Sequence, residues 1–358
     1  MNEPLFPAPF SRNVGFCGGL SAGLALCLAL FEPTALFGWL TAFLFWSSVP
    51  LGALCLVMMM RLISGAWRDE LGQEAEAALL LLPLAALALI PLLFALPVLY
   101  GWVKEPVGQG FRGIYLSRGI FVGRTAVFLI AAGGIAALLL MRRRSSAIGA
   151  LGLIAFMILH TMFAVDWVMS LDPHFHSSGL GLYLLSIETV IAIAFLLLLK
   201  LIAGPPPNNT DILGGVLFCA LLIWAYFAFM QYLIIWSTNF PPGVLWYEHR
   251  AEGMWSPVEY AIGTLALVPA LLLLFEPIRG DARWLALLCL STLLGKALEV
   301  AWLVLPAASG PPLVSFAATV LAFAGMGAVC LSAMAAALRI APRIGRERSE
   351  GKVRHEPR

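Results

Sequence analysis

Charge is what this sequence has least of. Asp, Glu, Lys and Arg make up 12% of its 358 residues, against 61% hydrophobic residues and a mean hydropathy of +0.92. An ordinary soluble domain is about a quarter charged, so the solvent for most of this chain is lipid. The composition implies an all-α polytopic membrane protein, because a chain this apolar must satisfy its own backbone inside the bilayer. A net charge of +2, spread over a few loops and the tail, excludes the basic patch that nucleic acid requires.

The other scarcities exclude chemistry. Six cysteines, at 17, 27, 55, 219, 289 and 330, all lie in apolar runs, and none has C-x-x-C spacing. That rules out c-type haem attachment, a zinc knuckle and the usual iron–sulfur spacing, and reads as small buried residues. His160 is the only histidine inside an apolar span, so the chain alone cannot supply the two axial ligands of a bis-histidine haem. A phosphate-cradling G-x-x-x-x-G-K-[ST] motif is absent, and no Ser-His-Asp set falls on one face. Any electrons must be carried by another subunit.

What is present is length in apolar runs. At about 1.5 Å per residue, ten segments can cross a core of about 30 Å: 13–31, 37–60, 77–100, 119–141, 147–170, 179–202, 212–238, 256–275, 283–305 and 313–338. The third carries Pro83, Pro91 and Pro97 and is expected to kink. Spans two to five and six to nine are expected to form two four-helix bundles, with spans one and ten peripheral. The boundaries follow: an N-terminus 1–12, a first half 13–203, a Pro-rich linker 204–211 (G-P-P-P-N-N at 204–209), a second half 212–338 and a basic tail 339–358, expected to be irregular and to lie on anionic headgroups. The polar, proline-rich start reads as lacking a cleavable signal.

Ten spans put both termini on one side. That side collects Arg12, Arg61, Arg68, Arg142, Arg143, Arg144, Lys200, Arg279, Arg283 and the basic tail, whereas the opposite loops hold only Lys104, Arg112, Arg118 and Arg250. The positive-inside rule makes the termini cytoplasmic, and Tyr100, Trp102, Trp236, Trp246 and Tyr247 fall where helix ends meet headgroups.

Ionisable groups at membrane depth are costly and mark function. The stretch His160 to Glu188 holds several, in two apolar helices joined by D-P-H-F-H. Counted from the outer helix ends, Asp166 lies about 6 Å in, Arg124 and Glu299 about 9 Å, and His160, Glu188 and Lys296 about 15 Å. Lys296 and Glu299 are three apart and can share a groove, either as a static ion pair or as part of a relay. His160 and Glu188 lie at one depth on adjacent helices, which suits a proton relay with Asp166 as its outer link, or a plain hydrogen-bonded core. On the inner half the candidates thin to Ser291, Thr292 and Tyr226.

Among the outer loops, Asp172, His174, His176, Asn239, Pro241 and His249 are candidates for a quinone site or for docking an external partner. A metal site there would need His249 or Glu248 to join the D-P-H-F-H histidines, and none is expected. A quinone pocket in this chain could use Asp166 with His174 or His176 as proton acceptor.

Two motifs carry a resemblance. D-W-V-M-S-L-D-P-H-F-H-S-S-G-L-G-L-Y at 166–183 and Q-Y-L-I-I-W-S-T-N-F-P-P-G-V-L-W-Y at 231–247, with the ten-span layout, resemble the smaller of the two polysulfide-reductase-like (NrfD-like) membrane subunits of alternative complex III, the bacterial quinol:cytochrome c oxidoreductase. The likeness spans most of the chain. It implies a bacterial cytoplasmic-membrane subunit beside a larger NrfD-like sister, with periplasmic multihaem cytochrome c and iron–sulfur subunits on its outer face. It implies quinol oxidation by the complex, with haem c and iron–sulfur clusters in the partners and no redox centre here. In that family the larger sister is the better quinol site, and the smaller subunit conducts protons or stabilises the assembly. Asp166, Asp172 and the Asn239–Pro241 loop occupy the motif positions; the roles of His160, Glu188, Lys296 and Glu299 rest on depth alone.

Three readings stay open from sequence: a proton-relay or quinone-site subunit, a purely structural anchor of the same kind of complex, and an independent transporter. The last lacks the paired broken helices expected in two equivalent halves.

Overall fold

The computed structural model describes residues 8–104, 110–142, 145–172, 175–203, 207–238, 241–308 and 312–353. Among them ten helices are long and apolar enough to cross a membrane: α1 (Ser11–Phe31), α2 (Ala35–Leu62), α3 (Ala66–Phe94), α4 (Arg118–Met141), α5 (Ser146–Leu171), α6 (Leu180–Ile202), α7 (Thr210–Thr238), α8 (Trp255–Leu272), α9 (Ala282–Ala307) and α10 (Leu313–Ile340). The protein is an all-α multi-pass membrane protein. The termini and the α2–α3, α4–α5, α6–α7 and α8–α9 connections define a terminal face; the remaining connections define the far face.

Two spans are hydrophobic all round and lie inside the protein. In α2 89% of the most apolar window is buried, and in α6 78%, whereas in α1 only 11% is. A helix without a polar stripe belongs in a core or in lipid, and here both environments are used. The polar side chains of α2 turn back on its own backbone: Thr41 donates to the Phe37 carbonyl at 2.9 Å and Ser48 to that of Leu44 at 2.6 Å. Around α2 pack α3, α4 and α5; around α6 pack α7 and α9, with α8 on α9; α2 and α6 join the two groups. Helices α1 and α10 pair on the outside against α2.

Glycine permits the closest approaches. A methyl group placed on Gly52 of α2 would lie 2.5 Å from the Glu188 carbonyl oxygen and 2.6 Å from the Ala192 Cβ of α6. The seam between the two bundles therefore accepts no side chain at 52. Indole donors tie α2 outward, with Trp39 Nε1 donating to the Ala88 carbonyl of α3 and Trp46 Nε1 to the Phe323 carbonyl of α10, both at 2.9 Å.

Several boundaries differ from the sequence expectation. α3 begins at Ala66 rather than 77, because its first turns carry Glu70, Glu74 and Glu76, which lower the hydropathy but are paired rather than solvated. Glu76 takes Arg61 at 2.6 Å, Glu74 takes Lys200 at 3.0 Å, and Glu70 accepts from the Asn208 backbone at 3.0 Å and from the Asn209 amide at 3.4 Å. Its proline-rich course is broken by a 3-10 turn at Leu79–Leu81 and ends at Phe94, where Leu96–Leu99 starts afresh. The last helix runs from Pro312 to Val353, so residues 339–353 of the basic tail continue it where an irregular strip was expected; Arg and Glu are good helix formers. Cys17, Cys27 and Cys219 are exposed rather than buried, since a lipid-facing surface accepts a small apolar thiol as readily as a core does.

Candidate functional site

Besides the paired glutamates at the start of α3, three buried polar clusters interrupt the apolar helices among the described residues. The first lies at the far-face ends of α4 and α5. Arg124 grips Asp166 with two hydrogen bonds, Nε to Oδ2 and Nη2 to Oδ1, each 2.8 Å. Its Nη1 donates to the Tyr115 carbonyl at 2.9 Å, and its guanidinium sits 3.8 Å over the Tyr115 ring. Such a bidentate pair spends both carboxylate oxygens of Asp166. Burial, and next the Asp166 charge, push the Tyr115 phenol up to about 12. Beside the pair, Tyr100, Trp102, Phe121 and Trp167 form an aromatic cluster, with Tyr100 Oη donating to the Trp167 carbonyl at 3.0 Å.

The second cluster joins α5 to α6. His160 Nε2 and Glu188 Oε2 are 2.8 Å apart, and each side chain is 1% exposed. The rings of Phe128, Phe156 and Phe163 surround the imidazole. Glu188 Oε1 is buried without a hydrogen-bond partner, so this carboxylate holds one open acceptor.

The third cluster is the most connected. Lys296 Nζ donates to Glu299 Oε2 at 2.6 Å and stands 3.1 Å over the Trp224 ring. Glu299 Oε1 accepts from Trp224 Nε1 at 2.8 Å and from Tyr183 Oη. One carboxylate on α9 thus collects donors from α6, α7 and α9. The side chains Glu299, Lys296, Thr292 and Cys289, spaced three and four apart, form one buried stripe down α9, and the Thr292 hydroxyl has no partner. Trp224, Tyr183 and Glu299 also line a groove of about 640 Å³ bounded by α8, with Glu259 and Tyr260 at its rim.

The far-face loops are arranged by a charge that sequence reading took for an ordinary loop arginine. Arg250 lies in the short helix Pro241–Ala251 and is buried. It donates to the carbonyls of Trp246 at 3.1 Å, Trp302 at 3.2 Å and Leu303 at 3.3 Å, and stacks 3.7 Å over the Trp246 ring. The last two carbonyls belong to the end of α9, where a cation is favoured. Burial lowers its pKa to about 10, opposed by Asp172. Phe175 stacks on the other side of this assembly, 4.3 Å from Trp246. The spacing of Trp246 and Arg250, four apart on one helix face, was the available signal.

The structure brings Arg124 to Asp166, His160 to Glu188 and Lys296 to Glu299, but Asp166 is committed to Arg124 and does not link outward from His160. Pro241, His176 and His249 are exposed on the far face, and Asp172 lies close enough to be felt by Arg250. His174 and Asn239 lie outside the described residues. Among the described residues no three His, Cys, Asp or Glu side chains are grouped to hold a metal. On the inner half, Tyr226 is exposed on the outside of α7 and Ser291 is tied to the Leu265 carbonyl at 3.3 Å, which leaves Thr292 as the inward-facing hydroxyl. Tyr183, Trp224 and Glu259 were not singled out in the sequence. Only tertiary packing shows that the first two share Glu299.

Fold and clusters together define the class: a multi-pass helical membrane protein with charged side chains paired inside its bundles. No protein-family model matches the chain, and no curated protein matches its sequence.

Proposed function

We propose that this chain is a membrane subunit of a bacterial quinol:cytochrome c oxidoreductase of the alternative complex III type, set in the cytoplasmic membrane with both termini cytoplasmic, and that it conducts protons beside redox partners. The observation that carries the reading is the third cluster. A carboxylate in hydrocarbon that is bonded to a lysine, a tyrosine and an indole, borders a lipid-facing groove and continues into a buried polar stripe is arranged to take and pass a proton. Glu299 exchanges protons on the groove side, Lys296 takes them up one turn deeper, and Thr292 with water extends the line toward the terminal face. Glu188, with its open oxygen beside His160, is a second proton-holding carboxylate at the seam of the two bundles. The larger NrfD-like sister and the multihaem cytochrome c and iron–sulfur subunits carry the electrons, and the far face, built around Arg250, Trp246 and Phe175, is where the outer partners dock.

A static-anchor reading is favoured by one observation: Asp166, Glu188 and Glu299 each have a basic partner within hydrogen-bonding distance. The experiment is a mild-detergent purification through a C-terminal tag, with mass spectrometry and a reduced-minus-oxidised spectrum. Haem and iron–sulfur subunits in stoichiometric amounts are expected; a lone chain without haem signal overturns the reading. In the purified complex Glu299→Gln is expected to lower proton-coupled quinol turnover at least tenfold, whereas unchanged turnover and proton uptake would leave the anchor.

A further inference from the structure

One strip of α2 is closed by neither of its flanks. Helix α10 packs on the first part of α3 and on its 3-10 turn at Leu79–Leu81, and the two separate where α3 resumes over Leu82–Phe94 with Pro83 in its first turn. A 3-10 turn followed by proline redirects a helix. The separation opens a slot of about 280 Å³ over α2, with Trp39 and Pro50 along its floor, Ala85 of α3 on one wall, and Ala22 of α1 and Cys330 of α10 on the other. No residue of the three polar clusters lines it.

Chemistry and shape both restrict the occupant. The polar side chains in the lining are already bonded to backbone: Trp39 to the Ala88 carbonyl, Trp46 to that of Phe323, and Ser47 to that of Leu44 at 3.3 Å. Among the described residues no charged side chain lines the slot. A charged or hydroxyl-bearing group would therefore be buried there without a partner, at a cost in free energy. From Trp39 to Pro50 the floor is about 16 Å long, close to half of a hydrocarbon core of about 30 Å. Because α2 enters at the far face, that half is the far leaflet. Spread over this length, the volume leaves a mean cross-section of about 17 Å². A single file of carbon atoms in contact at about 4 Å fits that width. A helix with its side chains needs about 10–12 Å and does not.

We propose that the slot holds one acyl chain of a phospholipid from the far leaflet, its methyl end against Pro50 and Cys330 and its ester end toward Trp39. The chain supplies the dispersion contacts that the separated helices withhold from the floor, so one lipid completes the cover of α2 between α3 and the α1–α10 pair. The site needs no redox partner and stands apart from the function proposed above.

Ala85→Phe fills the slot from its α3 wall. Gly134→Phe on α4, where a Cβ meets nothing within 4 Å, controls for bulk on a lipid-facing helix. The tagged full chain, with whatever subunits accompany it, is reconstituted by detergent dialysis into phosphatidylglycerol vesicles doped with a phosphatidylcholine that carries a mid-chain diazirine. It is then resolubilised, washed in dodecyl maltoside and irradiated, and crosslinked peptides are mapped. Crosslinks to the slot lining on α2, α3 or α10 are expected to survive the wash, whereas those to the exposed Leu151 and Ile154 of α5 fall at least tenfold. Ala85→Phe is expected to lower the surviving label at least fivefold, and Gly134→Phe to leave it unchanged. Slot label that washes away in step with the α5 label is ordinary boundary lipid and overturns the site, in a comparison made on wild type alone and so independent of how a variant folds. Absence of slot label, or label undiminished in Ala85→Phe, overturns it as well.

Discussion

The Lys296–Glu299 pair allows the sharpest energetic prediction. Both side chains are buried, at 0% and 1% exposure, and 2.6 Å apart. Breaking a buried pair by removing one partner costs about 3–5 kcal/mol, because the other charge is stranded. The two removals are not equal here. In Lys296→Met the Glu299 carboxylate keeps its Tyr183 and Trp224 donors, each such bond to a charged group worth about 1.5–3 kcal/mol, so the loss is about 3 kcal/mol. In Glu299→Gln the ammonium keeps only the Trp224 face, worth about 2 kcal/mol when desolvated, so the loss approaches about 5 kcal/mol. The double variant strands no charge, and its Gln still accepts from the tyrosine and the indole. It is expected to cost about 3 kcal/mol, which is about 5 kcal/mol less than independent sites would give; coupling of this order is known for close charge pairs. Reversible unfolding of all four proteins in mixed dodecyl maltoside and dodecyl sulfate micelles, followed by helical circular dichroism, measures it. Single-variant costs that add to within about 0.5 kcal/mol would refute the pair as an energetic unit.

Gly52→Val is expected to separate the bundles at their seam, with a destabilisation of about 3 kcal/mol, since the new side chain meets the Glu188 carbonyl rather than a movable group; a midpoint equal to wild type in the same assay would show that α2 and α6 do not approach so closely. At the far face, burial pushes the Tyr247 phenol up to about 12. Unfolded, it loses its proton near about 10, so between these values the native state binds more protons and stability falls as pH rises. Arg250, lowered to about 10, works the opposite way in the same window. The Tyr247 contribution is therefore read as the difference between wild type and Tyr247→Phe in thermal midpoint from pH 9 to pH 11, and a constant difference would contradict it.

Much of the fold was legible because lipid makes length and hydropathy decisive: all ten helices were visible as runs. The missed boundary at α3 shows the limit, since Glu70, Glu74 and Glu76 look solvated until Arg61, Lys200 and Asn208 are seen against them. Within the site, counting depth along helices put His160 level with Glu188, because rise per residue is fixed whatever the packing. Azimuth is not fixed in that way. Nothing in the sequence says that Tyr183 and Trp224 rotate toward Glu299 or that Tyr226 turns outward, and Arg250 is indistinguishable from a solvated loop charge until the carbonyls at the end of α9 come beneath it.

The enclosure of α2 has a consequence for how the protein is made. Its final neighbours include α6, α9 and α10, so a helix synthesised among the first acquires its last covering only when the chain is almost complete. Until then only the faces of α2 that meet α1, α3, α4 and α5 can be covered and the rest is left to lipid, which suits a helix apolar on every side rather than on one. For the same reason α1, whose main partner is α10, waits in the membrane for nearly the whole of translation. Chains halted before residue 313 would expose a long, glycine-pocked surface to lipid and to membrane quality control.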